Sequence, residues 1–420
     1  MGKYRIRGGH PLRGVLDIGG AKNAALPILA ALCLNESEIE IHNCPTIADT
    51  FQSLEILRRI GCEVERDGTT VRVNCSGGLS HEIPDDIVGQ MRSSILFMGA
   101  MLGRQGRVDI AMPGGCKLGA RAIDLHLTGL AAMGAVICLE GDKFYCNAPH
   151  GLKGADIMLR SPSVGATENL ILAATRAKGT TLLQNAAREP EIVNLADFLN
   201  SCGANITGAG SGTIRIDGVA KLHKPPAFTI MPDRIVAGTF LVAAAMTQGM
   251  ITLRSVNTCD LLPVIESLRQ MGCTIACGKN CVTLVAPQRL TALPELVTEV
   301  HPGFPTDMQA QFVAALAIAE GVSRITETIF ESRHAHALDL NNMGAKIDIS
   351  KDNRTFLIEG QQQLYGQQVA AQDLRGGAAL ILAALSAKGE TVVENAHHVQ
   401  RGYEQLEQDL SALGAAIWLE

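Results

Sequence analysis

One arrangement of apolar and polar residues repeats six times along this chain. Each copy contains a segment with apolar residues at helical spacing, as in 191–203, and that segment ends in a glycine. A glycine at the end of a helical pattern predicts a left-handed C-cap. The six glycines are separated by 73, 69, 69, 72 and 70 residues, a period typical of an architectural repeat. They are Gly61, Gly134, Gly203, Gly272, Gly344 and Gly414.

Each copy predicts the same order of elements. A strand precedes the amphipathic helix, and a hairpin of two short strands follows the glycine, as in 204–218. An alanine-rich helix, as in 235–249, then leads into the next copy. Because such helices are apolar on nearly every face, we expect them to form cores shared by neighbouring copies.

The six copies predict an α/β protein of two lobes with three copies each. A chain of 420 residues exceeds the roughly 250–300 residues at which a single core stops growing. Pro225 and Pro226 interrupt the pattern between copies three and four. The first strand, 3–9, is expected to complete copy six, which ends at the C-terminus. We therefore predict a first lobe of 22–229 and a second lobe of 1–21 with 230–420, with a ligand cleft between them.

Composition and charge narrow the class of protein. A net charge of -6 argues against bulk nucleic-acid binding. The longest apolar run, 24–34, is shorter than the roughly 18 residues of a membrane span, and its Pro27 is compatible with a buried helix. The N-terminus lacks a signal-peptide core, and the twelve cysteines show no disulfide framework. These features predict a cytoplasmic protein that does not enter a membrane.

The strand–helix junction of copy two is expanded and carries a thiol. Residues 113–121 read PGGCKLGAR, which places Cys116 after two glycines and near Lys117 and Arg121. A thiol close to cations can have a depressed pKa and act as a nucleophile or an acid. Cys116 could instead be an ordinary loop cysteine, but the insertion, the glycines and the cations favour a function.

Basic residues also gather at the junctions between elements. Lys22 begins a predicted helix, where free N–H groups favour anions. One such residue alone is more often a solvated surface charge, but five at matching junctions predict a site for a multiply charged anion. Asp307 also stands at a helix start, where its ordinary role would be an N-cap. The five basic residues are Lys22, Arg92, Arg121, Arg375 and Arg401.

Two other clusters are weaker candidates for a metal site. Cys273, Cys277 and Cys281 fall in a repeat hairpin, where packing within strands is the simpler interpretation. The histidine pairs at 334 and 336 and at 397 and 398 lack a matching third ligand. No metal is therefore expected.

Ten motifs together resemble the UDP-N-acetylglucosamine 1-carboxyvinyltransferase family, enolpyruvyl transferases of peptidoglycan precursor synthesis. The resemblance is collinear over essentially all 420 residues. It implies an EPSP synthase-like fold, an inside-out α/β barrel in two domains with three βαβαββ units each around buried helices. The motifs are GAKNAALP, MRSSI, PGGCKLGARAIDLH, PSVGATEN, NAAREPEIV, MPDRI, PGFPTDMQAQ, ITETIFESR, DLRGGAAL and HHVQRGYE.

The resemblance also implies the reaction and the role of each site residue. The enolpyruvyl group of phosphoenolpyruvate would move to the 3-hydroxyl of UDP-N-acetylglucosamine with release of phosphate, without metal or organic cofactor. Cys116 would donate a proton and react with fosfomycin, and Asp307 would accept the proton of the sugar hydroxyl. Phosphoenolpyruvate would be held by Lys22, Arg121, Arg375 and Arg401. The UDP-sugar would be bound by Asn23, Arg92, Arg121, Ala122, Ile123, Asp124, Leu125, Ser163, Val164, Gly165 and Ile329, with Ser161 at the edge of the contact.

The chain departs from the family pattern at a few positions, and two other functions are open. Val236 replaces a usual acidic residue, Ala122 a proline and Gly19 a serine, and 334–340 differs from the usual run. A catalytically quiet paralogue that binds UDP-sugar, or a scaffold built from repeats, are the alternatives. The joint presence of Lys22, Cys116, Asp307 and Arg401 favours an enzyme, since a pure binder needs no acid–base pair.

Overall fold

The computed structural model describes residues 2–114 and 123–420. The α-helices in these ranges, α1 to α13, are Lys22–Ala31, Ala48–Arg59, Asp85–Val88, Leu96–Gln105, Asp124–Ala132, Val164–Thr175, Pro190–Ser201, Arg234–Met246, Leu262–Gln270, Gln309–Leu316, Ala335–Asn342, Leu374–Ser386 and Leu406–Ala412. Short 3-10 helices span Leu32–Leu34, Arg92–Ile95, Thr258–Leu261, Thr306–Met308 and Ala396–Arg401.

The strands in the same ranges are short, and ten of them form five hairpins. In chain order, β1 to β23 are Tyr4–Arg7, Arg13–Asp17, Glu38–His42, Glu63–Asp67, Thr70–Asn74, Arg107–Ala111, Val136–Glu140, Lys143–Asn147, Asp156–Met158, Thr180–Gln184, Asn205–Thr207, Thr213–Asp217, Phe228–Thr229, Met250–Arg254, Thr274–Gly278, Cys281–Val285, Glu295–Val297, Val322–Thr326, Lys346–Ile349, Thr355–Glu359, Gln368–Ala370, Glu390–Glu394 and Ala416–Leu419.

The described residues divide into two compact units. Unit 1 contains 2–19 and 232–420, and unit 2 contains 20–114 and 123–231. The chain passes between them after Gly19 and after Met231, two residues from the bounds predicted above. Each unit has its own hydrophobic core.

Each unit arranges small sheets around buried helices. Unit 1 has the sheets β21-β22-β1-β23, β15-β16-β14-β2 and β17-β18-β20-β19, packed on α8, α10 and α12. Unit 2 has β13-β3-β5-β4, β11-β12-β10-β9 and β6-β8-β7, packed on α1, α4 and α6. Within the described ranges the sheets are separate, so the helices are enclosed by three sheets and not by one closed barrel. Both units therefore show the predicted α/β arrangement of small sheets around buried helices.

Strands from distant parts of the chain complete the sheets of unit 1. β1 pairs antiparallel with both β22 and β23, as predicted for the first strand. The backbone of Lys3 also exchanges two hydrogen bonds of 2.9 Å with that of Glu420. β2 runs parallel to β14, although more than two hundred residues separate them. Unit 1 is therefore assembled from both ends of the chain.

The six glycines of the repeat adopt the predicted backbone conformation. Their φ angles lie between 92° and 111°, a region that residues with a side chain rarely adopt. In α7, for example, Gly203 N donates to Asn200 O (2.9 Å) and Ala204 N donates to Leu199 O (3.0 Å). This pair of bonds is the Schellman motif, and it closes the helix before the hairpin begins. The predicted C-caps are confirmed.

The buried helices α4 and α6 approach each other closely at Gly99. A β-carbon at this position would lie 2.2 Å from the carbonyl oxygen of Asn169. Gly99 N also donates to Asn169 Oδ1 (2.8 Å). The absence of a side chain at position 99 therefore sets the distance between the two helices.

The sequence predicted no disulfides, but one pair of cysteines is bonded. Cys62 and Cys75 form a disulfide with a Cα–Cα distance of 4.5 Å. They flank the β4–β5 hairpin directly beyond its pair Glu63 and Asn74, so they face each other across the two strands. The sequence analysis missed this pair because the register of the hairpin was not known.

Two further observations concern ligands and membranes. Between residues 2 and 114 and between 123 and 420, no group of three His, Cys, Asp or Glu side chains is arranged to hold a metal ion. Across the same part of the chain, no helix is both long enough and apolar enough to span a membrane.

Candidate active site

Asp307 lies between two buried arginines in unit 1. It occupies the 3-10 turn Thr306–Met308 that leads into α10. Arg333 Nη2 donates to Asp307 Oδ1 (3.0 Å), and Arg375 Nη2 donates to Oδ2 (3.1 Å). The two arginine side chains are only 3% and 4% exposed. The carboxylate is therefore held by one guanidinium group on each oxygen.

This environment fixes the protonation state of Asp307. Burial alone would raise the pKa of the carboxyl group, but the charges of Arg375 and Arg333 and their hydrogen bonds hold it well below its usual value. Asp307 is thus ionised at neutral pH. A carboxylate with so low a pKa is a weak proton acceptor for as long as both arginines remain bound to it.

Arg375 is positioned from several sides. It stands in the first turn of α12, where Asp373 Oδ1 accepts from the backbone N–H of Arg375 (3.0 Å) and of Gly376 (2.9 Å). Its guanidinium carbon lies 5.4 Å from the centre of the Tyr403 ring. Arg375 Nη1 is buried and has no hydrogen-bond partner among the described residues. A fixed guanidinium group with an unused donor is suited to binding an anion.

Arg401 and Ile329 lie on other segments of unit 1. Arg401 ends the 3-10 helix Ala396–Arg401, and its charge contributes, after burial and His397, to the lowered pKa of His398. Ile329 is exposed on the loop after β18, and its backbone N–H donates to Glu327 Oε1 (2.8 Å).

Lys22 forms an ion pair in unit 2. It is the first residue of α1, and its Nζ lies 2.7 Å from Oδ2 of Asp49, a residue in the first turn of α2. Asn23 follows Lys22 in the helix and is partly buried. The cation that the sequence places at a helix start is therefore held in position by a carboxylate from the neighbouring helix.

A second group of predicted residues meets around His126 in unit 2. The ring of His126 lies next to Gly165. A β-carbon added at position 165 would be 3.4 Å from the Cε1 atom of His126. Burial, followed by the charge of Arg92, lowers the pKa of His126 to about 4, while Asp124 opposes this shift. His126 Nδ1 is 3.0 Å from Asn169 Nδ2, whose amide oxygen is used by Gly99. The neutral ring therefore accepts at Nδ1 and carries its proton on Nε2.

The remaining predicted residues of unit 2 that the structure describes stand at or beside the starts of α5 and α6. Ser163 is the N-cap of α6, with its Oγ accepting from Ala166 N (3.4 Å), and Val164 is the first helical residue. Ile123, Asp124 and Leu125 form the start of α5. Asp124 pairs with Arg160 (2.6 Å), beside Ser161. The start of α5 and the start of α6 thus both lie near the imidazole.

Three predicted residues, Cys116, Arg121 and Ala122, lie outside the described residues. Four others were missed by sequence reasoning. Arg333 and Glu327 belong to the ITETIFESR motif, and His126 is the last residue of the PGGCKLGARAIDLH motif, but none of the three was singled out. Their positions within quoted motifs could have indicated a role, whereas Asp49 resembles an ordinary helix-start residue in the sequence.

Comparisons with known proteins extend over the whole chain. A family model described as EPSP synthase (3-phosphoshikimate 1-carboxyvinyltransferase) matches residues 6–410. UDP-N-acetylglucosamine 1-carboxyvinyltransferase 2 of Caldanaerobacter subterraneus subsp. tengcongensis is 48% identical over 417 residues, which cover 99% of each protein. The UDP-N-acetylglucosamine 1-carboxyvinyltransferase of Acidiphilium cryptum is 46% identical over 418 residues, again 99% of each.

Solved structures agree in fold. The enolpyruvyl transferase NikO from Streptomyces tendae has a TM-score of 0.89 and 27% identity, covering 100% of this chain and 98% of that one. EPSP synthase from Acinetobacter baumannii has a TM-score of 0.76 and 19% identity, covering 100% of both chains, so this likeness concerns the fold alone.

Proposed function

Because this chain belongs to the EPSP synthase family and, within it, to the UDP-N-acetylglucosamine 1-carboxyvinyltransferases, we propose that it performs the reaction of that group. It transfers the enolpyruvyl group of phosphoenolpyruvate to the 3-hydroxyl of UDP-N-acetylglucosamine and releases phosphate. The observation that carries this proposal is the sequence identity of 48% and 46%, over 99% of each chain, to two proteins of that name. The paired arginines on Asp307 support it independently.

The reaction requires an acid, a base and cations. Protonation of C3 of phosphoenolpyruvate makes C2 electrophilic, and the sugar hydroxyl attacks C2 as it loses its proton to a base. The resulting tetrahedral intermediate loses phosphate from C2 and a proton from C3, which restores the alkene. We assign the proton donor to Cys116 and the base to Asp307, and the cations stabilise the carboxylate and the phosphate.

The arrangement around Asp307 suggests how a weak base becomes competent. Phosphoenolpyruvate is an anion, and Arg375 is one of the groups proposed to bind it. An anion that draws the Arg375 guanidinium away from Asp307 removes one of the two charges that depress the pKa of its carboxyl group. The pKa of Asp307 then rises towards the range of a useful base. In this proposal, phosphoenolpyruvate binding and base activation are coupled.

The other predicted residues take the roles of binding groups. Lys22, Arg121, Arg375 and Arg401 bind the phosphate and carboxylate of phosphoenolpyruvate, and Lys22 and Arg401 also stabilise the charge that develops. Around His126, the starts of α5 and α6 bind the UDP-sugar, with contributions from Asn23, Arg92 and, in unit 1, Ile329. Ser163 is well placed for this role because it caps the N-terminus of α6, where backbone N–H groups favour phosphate oxygens.

The cellular role follows from the product. The enolpyruvyl ether of UDP-N-acetylglucosamine is a peptidoglycan precursor, so we assign the chain to cell-wall synthesis in the cytoplasm and, through it, to cell shape and division. No metal or organic cofactor takes part in this scheme. The epoxide fosfomycin is expected to alkylate Cys116.

Phosphate release tests the proposed reaction. Phosphoenolpyruvate should release phosphate only when UDP-N-acetylglucosamine is present, and mass spectrometry should find the sugar nucleotide heavier by one enolpyruvyl group. Binding of UDP-N-acetylglucosamine without any phosphate release would reject the proposal and favour the quiet paralogue. Cys116→Asp keeps a proton donor but not a good nucleophile, so it should retain turnover and resist fosfomycin.

A further inference from the structure

We infer that Glu327 is a positioning residue that links the Ile329 segment to Asp307. This inference rests on the proposed function, in which Ile329 binds the sugar nucleotide and Asp307 accepts a proton. Glu327 is the first residue after β18, and its side chain is 1% exposed. It lies within the quoted motif ITETIFESR, but the reaction scheme gives it no role.

One oxygen of Glu327 organises the sugar-binding side. Oε1 accepts from the backbone N–H of Ile329 (2.8 Å) and of Phe330 (3.1 Å). It also accepts from Thr298 Oγ1 (2.9 Å), which itself accepts from the backbone N–H of Thr328 (2.9 Å). The backbone of the loop that carries Ile329 is therefore fixed by a single carboxylate oxygen.

The second oxygen of Glu327 leads to the proposed base. Oε2 accepts from Thr306 Oγ1 (2.8 Å), and Thr306 directly precedes Asp307. Arg333 Nη1 donates to Thr306 Oγ1 (2.9 Å) and to the carbonyl oxygen of Thr306, while its Nη2 holds Asp307. The path from Glu327 to Asp307 thus contains one hydroxyl group and one guanidinium group.

The charges of this cluster explain why a carboxylate is needed at position 327. The negative charges of Asp307 and Glu327 lie among the buried guanidinium groups of Arg333 and Arg375, and the charge of Asp233 also acts on Arg375. A neutral amide at 327 would remove one negative charge from this buried cluster and would place an NH₂ group against some of the present donors. A hydroxyl donor such as Thr306 would then have to turn, and the contact with Arg333 would change with it. Glu327 sets where Asp307 points without touching a substrate.

The two oxygens predict different kinetic effects for their partners. Thr306→Val removes the hydroxyl on the Asp307 side, so kcat should fall roughly tenfold or more, as expected for a misplaced catalytic group, with little change in KM for UDP-N-acetylglucosamine. Thr298→Val acts on the Ile329 side and should mainly raise that KM. Glu327→Gln should change both parameters.

Matched variants separate positioning from loss of folding. Thr306→Ser keeps the hydroxyl and should restore most of the kcat that Thr306→Val loses. Glu331→Gln makes the same chemical change at an exposed residue four positions away and should leave both parameters unaltered. If Glu327→Gln does not fold, the pair of Thr306 variants decides the question.

The outcomes distinguish this inference from the proposed function. Absence of sugar-dependent phosphate release by the unsubstituted chain overturns the proposed function, and this inference with it. Normal release by the unsubstituted chain, together with unchanged kcat and KM in Glu327→Gln, overturns this inference alone. Equal kcat in Thr306→Val and Thr306→Ser also overturns it, since the hydroxyl would then have no effect.

Discussion

Lys22 and Asp49 form an ion pair whose Nζ and Oδ2 atoms are 2.7 Å apart, with side chains only 11% and 2% exposed. Each residue stands in the first turn of a different helix, α1 or α2. The ion pair therefore joins the starts of two helices. It also fixes the position of Lys22, which we propose binds phosphoenolpyruvate.

This pair predicts a stability effect separable from catalysis. Lys22→Met should lower the free energy of unfolding by about 3–5 kcal/mol, because it removes a cation from a buried carboxylate. The double variant Lys22→Met with Asp49→Asn should be more stable than Lys22→Met alone, because it no longer contains the unpaired Asp49 carboxylate. Urea unfolding of the two single variants and the double variant measures this coupling. Strictly additive losses would contradict it.

Asp307→Asn should separate turnover from sugar binding. The amide keeps an acceptor oxygen for one arginine but cannot take a proton, so phosphate release should fall roughly a hundredfold or more. UDP-N-acetylglucosamine binding, measured by isothermal titration, should remain. The buried groups of Arg333 and Arg375 lose their shared carboxylate, so the unfolding temperature should also decrease. Phosphate release at the rate of the unsubstituted chain would exclude Asp307 as the base.

His126 predicts a pH dependence of stability. Its pKa is lowered to about 4 from an ordinary value of 6.5, so between these pH values the unfolded chain binds a proton that the folded chain does not. The free energy of unfolding should therefore decrease as the pH falls from 6.5 to 4, by about 3 kcal/mol from this residue. Burial also lowers the pKa of His336 to about 4, which adds a second proton over the same range.

A non-titrating variant isolates the contribution of His126. His126→Asn places an oxygen near the present Nδ1 acceptor, so it can still receive the amide N–H of Asn169. Urea titrations at several pH values give the slope of the unfolding free energy against pH, which is proportional to the number of protons taken up on unfolding. In His126→Asn this number should be smaller by up to one. An unchanged slope would show that His126 has the same pKa in the folded and the unfolded chain, which would contradict the prediction.

Gly99 predicts that a change favourable to an isolated helix destabilises this one. Alanine favours a helix interior over glycine by about 1 kcal/mol. At position 99, however, the added carbon would lie 2.2 Å from backbone oxygen of α6, so Gly99→Ala should lower the free energy of unfolding by at least about 2 kcal/mol. Gly103→Ala, at 3.2 Å from its nearest atoms, should cost less. Gly19→Ala meets nothing within 4 Å and is the control. Equal stability of all three would contradict the packing argument.

The sequence revealed the repeated parts of this molecule better than its contacts. The six glycine C-caps, the buried helices and the pairing of β1 with copy six could be predicted because each depends on a local pattern or on a count of copies. The partners of Asp307 could not, since Arg333 and Arg375 lie 26 and 68 residues further along the chain. Such pairs form where elements of different copies meet, and no spacing within one copy encodes that. The same reason hid the pairing of Lys22 with Asp49.

The way unit 1 draws on both ends of the chain affects the order in which the protein can form during synthesis. The described residues of unit 2 all lie between 20 and 231, so they emerge from the ribosome before most of unit 1 has been translated. β1 is made before the whole of unit 2, whereas both of its partners, β22 and β23, are made after it. β1 can therefore pair with them only after unit 2 has been translated. A chain released before residue 416 can complete the sheets of unit 2 but not the sheet that contains β1.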